Sequence, residues 1–249
     1  MMAGPAAIFE SAAITDTGRT RDTNEDCLAA IPEWGVFVVA DGVGGLSAGD
    51  VASSQVCDTI RSQVGGFDGF NGQISDTFIN TTVRSAIADA NTWIRNEAES
   101  REVRGMGTTV VLLALSAENP GQAVALHAGD SRLYRLRDST LEQLTEDHSI
   151  AGQLGVHEST LHPFMQGVIT RAVGIQPDVE LDETPVDVRV GDVFMVCSDG
   201  LTRMVDDATL QEMLLVDRSL DDCARSMVAK ANEAGGYDNI TVILVRVRG

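Results

Sequence analysis

Five aspartates lie beside short apolar segments of this 249-residue sequence, namely Asp26, Asp41, Asp130, Asp199 and Asp238. Four of them stand at the edge of an apolar run, next to glycine or another loop residue. A carboxylate beside a buried strand is unfavourable unless something compensates its charge. One such aspartate is usually a turn cap or part of a local ion pair, but four are harder to explain in that way.

The carboxylates would repel one another if the packing of the sheet brought these strand ends together, and a divalent cation would remove that repulsion. Ligands that are all oxygen favour a hard ion, Mg²⁺ or Mn²⁺, over zinc or copper. Gly42 follows Asp41 and has no Cβ, so its carbonyl could approach an ion closely. The segment Asp-Gly-Val-Gly-Gly could equally be only a tight turn from a strand into a helix.

Arg21 precedes Glu25 by four residues and lies near Asp26 in the sequence. A guanidinium group can donate two hydrogen bonds to two oxygens of one phosphate. A lone arginine more often forms a surface ion pair, so the role of Arg21 depends on its neighbours.

Several short apolar runs bounded by glycine or aspartate predict strands that must position these residues. The predicted strands are 34–40, 108–115, 122–128, 131–137, 192–197 and 240–247. Periodic apolar residues predict helices over 48–64, 74–99 and 219–231, while 65–72, 119–121 and 235–236 indicate loops or turns. Two long helices followed by several strands do not fit a doubly wound sheet and favour sheets covered by helices.

Composition excludes several classes of protein. The chain has 37 acidic and 18 basic residues and a formal charge of −19, which argues against binding nucleic acid or anionic membranes. Lys230, the only lysine, lies in Val-Ala-Lys-Ala, so a P-loop is excluded. With 43% apolar residues, no repeat and no linker, we expect a single folded domain over 1–249.

The sequence also predicts the compartment. No apolar run approaches the roughly 18 residues that a membrane span needs, and the N-terminus lacks the features of a signal peptide. The four cysteines are widely spaced and form no Cys-x-x-Cys pair. We therefore expect four buried, reduced thiols and a cytoplasmic protein.

Eight segments in order carry a resemblance to a known family. They are RDTNED (21–26), VVADGVGG (38–45), GTTVV (107–111), HAGDSRLY (127–134), LTEDHS (144–149), ITRAVG (169–174), VCSDGL (196–201) and DNITVILV (238–245). Together they resemble the metal-dependent Ser/Thr protein phosphatase family, type 2C, and its compact bacterial members in particular. The resemblance covers about residues 10 to 247.

The resemblance implies an α+β fold, a four-layer α/β/β/α sandwich in which helices flank two antiparallel sheets. It also implies a dinuclear Mn²⁺ or Mg²⁺ centre at one end of the sandwich. By motif, Asp41 would bridge both metals and the Gly42 carbonyl would bind one of them. Asp199 and Asp238 would hold the other, and Asp26 would act through water.

Other roles implied by the resemblance concern the substrate. Arg21 would bind the phosphate, so that Arg21, Asp41, Asp199 and Asp238 carry the catalysis. Asp130, with Asp199, matches a third and weaker metal site, and residues 146–168 match a flap beside the active site. The expected reaction is hydrolysis of phosphoserine and phosphothreonine esters by a metal-activated water. The expected partners are phosphorylated proteins, including a cognate Ser/Thr kinase, and the expected state is a monomer.

Two positions depart from the pattern of the family. Some members carry a histidine directly after Asp-Gly, where this chain has Val43, and many bacterial members carry one where it has Leu46. Either histidine could protonate the leaving group. The sequence therefore leaves the proton donor unassigned.

Three alternatives remain to be weighed. His157-Glu158 and His162 resemble a zinc-protease motif, but the spacing is one residue too long for the two rings to share a metal on one helix. Gly129-Asp130-Ser131 resembles the nucleophile segment of GDS-type esterases, but no Asp-x-x-His follows. A phosphatase-like binding module without turnover would be expected to lack metal ligands, and here all of them are present.

Overall fold

The computed structural model describes residues 9–44, 48–66, 79–116, 121–156 and 158–248. Within them, eleven strands form two sheets in which every pairing is antiparallel. The five-stranded sheet has the order β1 (Phe9–Asp16), β11 (Ile240–Val247), β10 (Val193–Cys197), β7 (Arg132–Arg137) and β8 (Thr140–Gln143). The six-stranded sheet has the order β2 (Asp26–Ile31), β3 (Val36–Val43), β5 (Val110–Leu115), β6 (Gln122–Ala128) and β9 (Asp182–Asp187), with β4 (Gly107–Thr108) paired to β3.

A central core lies between the two sheets. Phe37 and Leu113 of the six-stranded sheet share it with Phe194 and Ile243 of the other sheet. Successive side chains of a strand point to opposite faces, so the neighbouring residues of these strands face the helices instead. Both faces of the inner strands are buried, and this is why their sequences are continuous apolar runs.

Helices cover both outer faces. The helices α1 (Gly49–Gly65) and α2 (Arg84–Ser100) pack on the six-stranded sheet, and α5 (Asp207–Leu215) and α6 (Leu220–Glu233) pack on the five-stranded sheet. Two short helices, α3 (Ile150–Leu154) and α4 (Asp199–Thr202), lie in connections. The α+β fold and its four layers, expected from the sequence, are therefore confirmed.

The predicted helices agree closely with the observed ones. The 219–231 prediction becomes α6, and the Ser219 hydroxyl caps it by accepting a hydrogen bond from the Asp222 N–H at 3.1 Å. In the 74–99 prediction, the π-helical turn Ile79–Val83 precedes α2, and residues 74–78 lie outside the described residues. The predicted 65–72 and 119–121 loops also fall largely outside them, whereas Gly235 and Gly236 form the expected loop with positive φ.

Two strand predictions were wrong in detail. The 34–40 strand begins only at Val36, because Pro32–Trp34 forms a 3₁₀ turn, and it continues to Val43. Asp41 therefore lies within β3 rather than at its end. The predicted 108–115 strand is divided at Thr109, whose N–H donates to the Asp41 carbonyl at 2.8 Å.

The expectation of four buried thiols was wrong for one cysteine. Cys57, Cys197 and Cys223 are buried, but Cys27 is partly exposed because it lies on β2, at an edge of its sheet. In the described part of the chain, no helix combines the length and the apolar character that crossing a membrane requires.

Asn91 holds the loop of residues 174–177, which follows the flap. Its Oδ1 accepts a hydrogen bond from the buried Gly174 N–H at 2.6 Å, and its Nδ2 donates to the carbonyls of Gln176 and Pro177. Asn91→Ala should lower the free energy of unfolding by about 1–3 kcal/mol, because the Gly174 N–H loses its partner inside the protein. Urea unfolding measures the loss. Thr92→Ala, at the exposed neighbouring position, is the control, and equal losses in the two variants would contradict the assignment.

Candidate metal centre

Two antiparallel strand pairs, one from each sheet, supply four of the five aspartates. Asp26 and Asp41 are register partners on β2 and β3 of the six-stranded sheet. Asp199 directly follows Ser198 after β10, and Asp238 precedes β11, the neighbouring strand of the five-stranded sheet. Each sheet therefore brings two carboxylates to the same end of the sandwich.

Asp130 comes from a connection between the sheets. Residues 129–131 join β6 of the six-stranded sheet to β7 of the five-stranded sheet. A second tie between the sheets lies next to it, where the Ser198 hydroxyl donates to Asp26 Oδ2 at 2.7 Å and accepts from the Thr241 N–H at 3.0 Å. The aspartates thus collect where the two sheets are joined.

A cleft of about 230 Å³ opens at this position. Six of the seven residues predicted from the sequence line it, namely Arg21, Asp41, Gly42, Asp130, Asp199 and Asp238. The seventh, Asp26, is 9% exposed and lies beside Asp41. The structure therefore brings all seven predicted residues together.

Burial and mutual repulsion disfavour the ionised carboxylates. Burial raises the pKa of Asp26 to about 7, although hydrogen bonds from Thr241 and Ser198 act in the opposite direction. Burial and the charge of Asp199 raise the pKa of Asp130 to about 8, despite the nearby Arg203. Burial, followed by the charges of Asp26 and Asp199, raises the pKa of Asp41 well above the ordinary range. Without a counter-charge this arrangement is unfavourable.

The donor set fits a hard divalent cation. The donors are carboxylates and one backbone carbonyl, which are the oxygen ligands that Mg²⁺ and Mn²⁺ prefer. The buried Oδ1 of Asp26 finds no hydrogen-bond partner among the described residues, so it can accept from a water. The raised pKa values mark a site whose carboxylates need a positive charge to remain ionised together.

The backbone around Asp41 is fixed by close packing. The Asp41 N–H donates to Thr109 Oγ1 at 2.9 Å, and the Asp41 carbonyl accepts from the Thr108 hydroxyl at 2.9 Å. A Cβ on Gly42 would lie 2.2 Å from the Gly49 carbonyl oxygen, so only glycine fits there. This contact accounts for Gly42 in the Asp-Gly-Val-Gly-Gly segment, whereas Gly45 and Leu46 lie outside the described residues.

Arg21 stands at the rim of the cleft. Its Nη2 donates to Asp238 Oδ2 at 2.8 Å, and its side chain is 47% exposed. Asn239 holds the segment that carries it, because its Oδ1 accepts from the Glu25 N–H and its Nδ2 donates to the carbonyls of Thr17 and Thr23. A phosphate that enters the cleft therefore meets a guanidinium group.

Sequence reasoning missed two charged residues of the cleft, Glu25 and Arg203. Burial raises the pKa of Glu25, and Arg21 opposes that effect. Arg203 Nη2 lies 3.0 Å from Asp199 Oδ2 and 3.5 Å from Asp130 Oδ2. Its position four residues after Asp199 was the available signal, because residues spaced i, i+4 share a helix face.

The predicted flap, residues 146–168, borders the cleft. Its two ends are joined by a bridge between Ser149 and Ile169 and by a hydrogen bond from the Ile150 N–H to the Val168 carbonyl at 3.0 Å. Gly167 and Ile169 line the cleft itself. A larger groove of about 790 Å³ lies between the flap and α4. The flap therefore forms one wall of the approach to the aspartates.

A second group of metal-binding side chains does not form a metal site. His127, His148 and Asp182 lie close together, but the two imidazole rings stack with centroids 4.4 Å apart and an interplanar angle of 15°. An imidazole binds a metal in its own ring plane, so rings stacked face to face cannot share one ion. The guanidinium of Arg171 also donates to Asp182 at 2.6 Å and already supplies a positive charge.

Two alternative functions considered from the sequence, an esterase and a zinc protease, lose support. Ser131 of the esterase-like segment is 2% exposed, and its Oγ lies 2.7 Å from Thr109 Oγ1, so it is not placed as a nucleophile. His162 of the protease-like segment stacks on Phe164 in the flap, and its partner His157 lies outside the described residues.

Comparison with known proteins identifies the family of this chain. The model of the family described as protein phosphatase 2C matches residues 19–238. The chain belongs to that family. This type 2C phosphatase is 38% identical over 247 residues to a Listeria monocytogenes protein named serine/threonine phosphatase stp, with 93% of each chain covered. The chain described here is a metal-dependent Ser/Thr protein phosphatase, and its substrates are phosphoproteins.

Solved structures also resemble this type 2C phosphatase over nearly its whole length. One is described as PppA, a key regulatory component of T6SS in Pseudomonas aeruginosa, and is 40% identical with a TM-score of 0.85. The alignment covers 96% of this chain and 97% of that one. Another is the catalytic domain of PstP in complex with two manganese ions, 30% identical with a TM-score of 0.81 over 97% of this chain and 99% of that one.

The raised pKa values predict how pH affects the stability of this type 2C phosphatase without metal. From about pH 4, near the pKa of an unfolded aspartate, to about pH 8, the folded state holds more protons on Asp26, Asp41 and Asp130 than the unfolded state. The stability contributed by these groups is therefore present at low pH and is lost as pH rises.

Mn²⁺ should counteract this loss, since a bound cation stabilises the ionised carboxylates. We expect millimolar Mn²⁺ to raise the melting temperature more at pH 8 than at pH 6, as measured by calorimetry against EDTA-treated protein. Asp26→Asn, which removes one of the titrating groups, should reduce the difference between the two pH values. An equal Mn²⁺ effect at both would contradict the proton linkage.

Proposed function

We propose that the cleft hydrolyses phosphoserine and phosphothreonine esters of proteins with two Mn²⁺ or Mg²⁺ ions. The convergence of Asp41, Asp199 and Asp238 with Arg21 around one cleft carries this proposal. The raised pKa values of the buried carboxylates support it, because they show acidic groups placed together where only a counter-charge keeps them ionised. The two manganese ions of the PstP structure favour Mn²⁺ as the first choice.

Each aspartate has a distinct proposed role. Asp41, the register partner of Asp26 on β3, would bind both ions, and the Gly42 carbonyl would bind one of them. Asp199, just after β10, and Asp238, just before the neighbouring strand β11, would hold the other. Asp26, beside Asp41, would accept a hydrogen bond from a water through Oδ1, which has no hydrogen-bond partner among the described residues. These roles account for every predicted carboxylate except Asp130, which with Asp199 stands where the resemblance implies a third, weaker site.

The chain itself orients the phosphate. When bound, the two cations lower the pKa of a shared water and neutralise the charge of the phosphoryl oxygens. Arg21 is exposed enough to turn its donors from Asp238 to two phosphate oxygens, which fixes the ester in the cleft. Of the described residues, those lining the cleft include no histidine, and Val43 occupies the position of the histidine of some relatives. We therefore assign no histidine as the general acid that protonates the leaving group.

The proposed partners follow from the reaction. Phosphorylated Ser/Thr proteins are the substrates, and we include a cognate Ser/Thr kinase among them because autophosphorylated kinases carry the same esters. All proposed site residues belong to one chain, so a monomer is sufficient for activity. The alternative of a binding module without turnover is not supported, because the whole set of predicted ligands is retained.

Replacement of Asp238 tests the metal assignment. Asp238→Ala should reduce hydrolysis of p-nitrophenyl phosphate in Mn²⁺ by at least about 100-fold, because loss of a ligand should exceed the 10- to 100-fold effect of losing a group that only orients one. Asp221→Ala, an exposed aspartate of α6, is the matched control and should retain full activity. Near-normal turnover in Asp238→Ala would refute the proposed ligand set.

Replacement of Arg21 tests phosphate binding separately. Arg21→Ala should weaken competitive inhibition by inorganic phosphate by about 10- to 150-fold, the cost of losing hydrogen bonds to a charged group. Arg21→Lys, which keeps the charge but not the two-donor geometry, should recover part of the affinity. Calorimetric Mn²⁺ titration should give the same stoichiometry for both variants as for the unaltered protein. If phosphate inhibits Arg21→Ala normally, Arg21 is not a phosphate ligand.

A further inference from the structure

Arg203 places a guanidinium group between two carboxylates of the metal centre. Its Nη2 lies 3.0 Å from Asp199 Oδ2 and 3.5 Å from Asp130 Oδ2. Both aspartates are buried, being 9% and 6% exposed, so their charges are poorly screened by solvent. The guanidinium thus supplies a positive charge between a pair of acids that would otherwise repel each other.

The local backbone fixes the direction of Arg203. Asp199 begins the short helix α4, and the Arg203 N–H donates to the Asp199 carbonyl at 2.8 Å. Residues spaced i, i+4 lie on the same helix face, so the Arg203 side chain is directed along the same side as the Asp199 carboxylate. The planar group of donors is also better suited than an ammonium to two separate carboxylates.

The same guanidinium also lies next to the flap. A Cβ built on Gly167 would lie 3.2 Å from Arg203 Nη2, 3.4 Å from Nη1 and 3.7 Å from Cζ. Gly167 has a φ of +67°, a conformation that favours glycine, so the flap backbone approaches the guanidinium without an intervening side chain. Gly167 and Arg203 both line the cleft. One side chain therefore links the flap to the two carboxylates.

We propose that Arg203 is a positioning residue that occupies, as a tethered cation, the place of a third divalent ion between Asp130 and Asp199 and ties the flap at Gly167 to the metal centre. This inference rests on the proposed two-metal function. An ion bound to Asp130 Oδ2 and Asp199 Oδ2 would have to displace the guanidinium from both carboxylates, and displacement would also move the guanidinium away from Gly167. Arg203 therefore restricts the centre to two ions and keeps the flap in place over them.

Calorimetric titration of the metal-free full chain with Mn²⁺ tests the first half of the proposal. The unaltered protein should bind two ions and Arg203→Gln three, because glutamine keeps a polar side chain but removes the charge. Arg203→Lys should still bind two. Asp130→Asn in the Arg203→Gln background should return the count to two and thereby locate the additional ion.

Hydrogen exchange of the flap tests the second half. In metal-free protein, Arg203→Gln should accelerate exchange of the amides around Gly167 and Val168 by roughly fivefold, the effect of a typical single-residue destabilisation confined to this segment. Arg203→Lys, which lacks the planar group of donors, should accelerate it as well. Amides of β3, which is buried between helices and sheet, should exchange as before and show that the variants are folded.

The outcomes separate this inference from the proposed function. If the unaltered protein binds three ions, or if Arg203→Gln still binds two and its flap exchanges normally, the role of Arg203 is refuted while the two-metal centre stands. If the unaltered protein binds fewer than two ions, the proposed function fails, and the third-ion role of Arg203 fails with it. Flap exchange in metal-free Arg203→Gln still decides whether Arg203 ties down the flap.

Discussion

Repulsion among aspartates that the fold forces together is the constraint on which this structure depends. Two carboxylates from each sheet meet at one end of the sandwich, and burial makes the ionised forms still less favourable. The surrounding features counteract this cost: the Ser198 hydroxyl on Asp26, the Arg21 pair with Asp238, and Arg203 beside Asp199. Metal ions would complete the neutralisation. A protein selected for stability alone would have little reason to bury so many acids in contact.

Two sheets are needed because neither contains the whole centre. The six-stranded sheet provides Asp26 and Asp41, and the five-stranded sheet provides Asp199 and Asp238. The central core of large apolar side chains fixes the distance between the sheets and therefore the distance between the two pairs of ligands. The packing of Phe37 against its neighbours, although remote from the chemistry, thus helps to set the width of the site.

The sequence predicted the inner strands and the aspartates that meet at the cleft, but it did not reveal the edge strands. Buried on both faces, β5 and β6 are continuous apolar runs that are easily recognised. The four strands that were missed, β1, β2, β8 and β9, are the edge strands of the two sheets, and their sequences mix polar and apolar residues. Asp41 was placed at a strand end because the apolar run stops there, whereas the ladder continues for two residues through pairing with β4. Arg203 was missed although its i, i+4 spacing from Asp199 was visible, because nothing in its segment shows that the fold also brings Asp130 near it.

The pairing of β1 with β11 has a consequence for when the enzyme can first act. Arg21 and its partner Asp238 are separated by 217 positions, and Asn239 fastens the residues around Arg21 to the start of the final strand. During synthesis the amino-terminal portion leaves the ribosome with half of the ligand set and no second wall for the cleft. The proposed site is therefore complete only after the residues through β11 have been synthesised and have paired with β1.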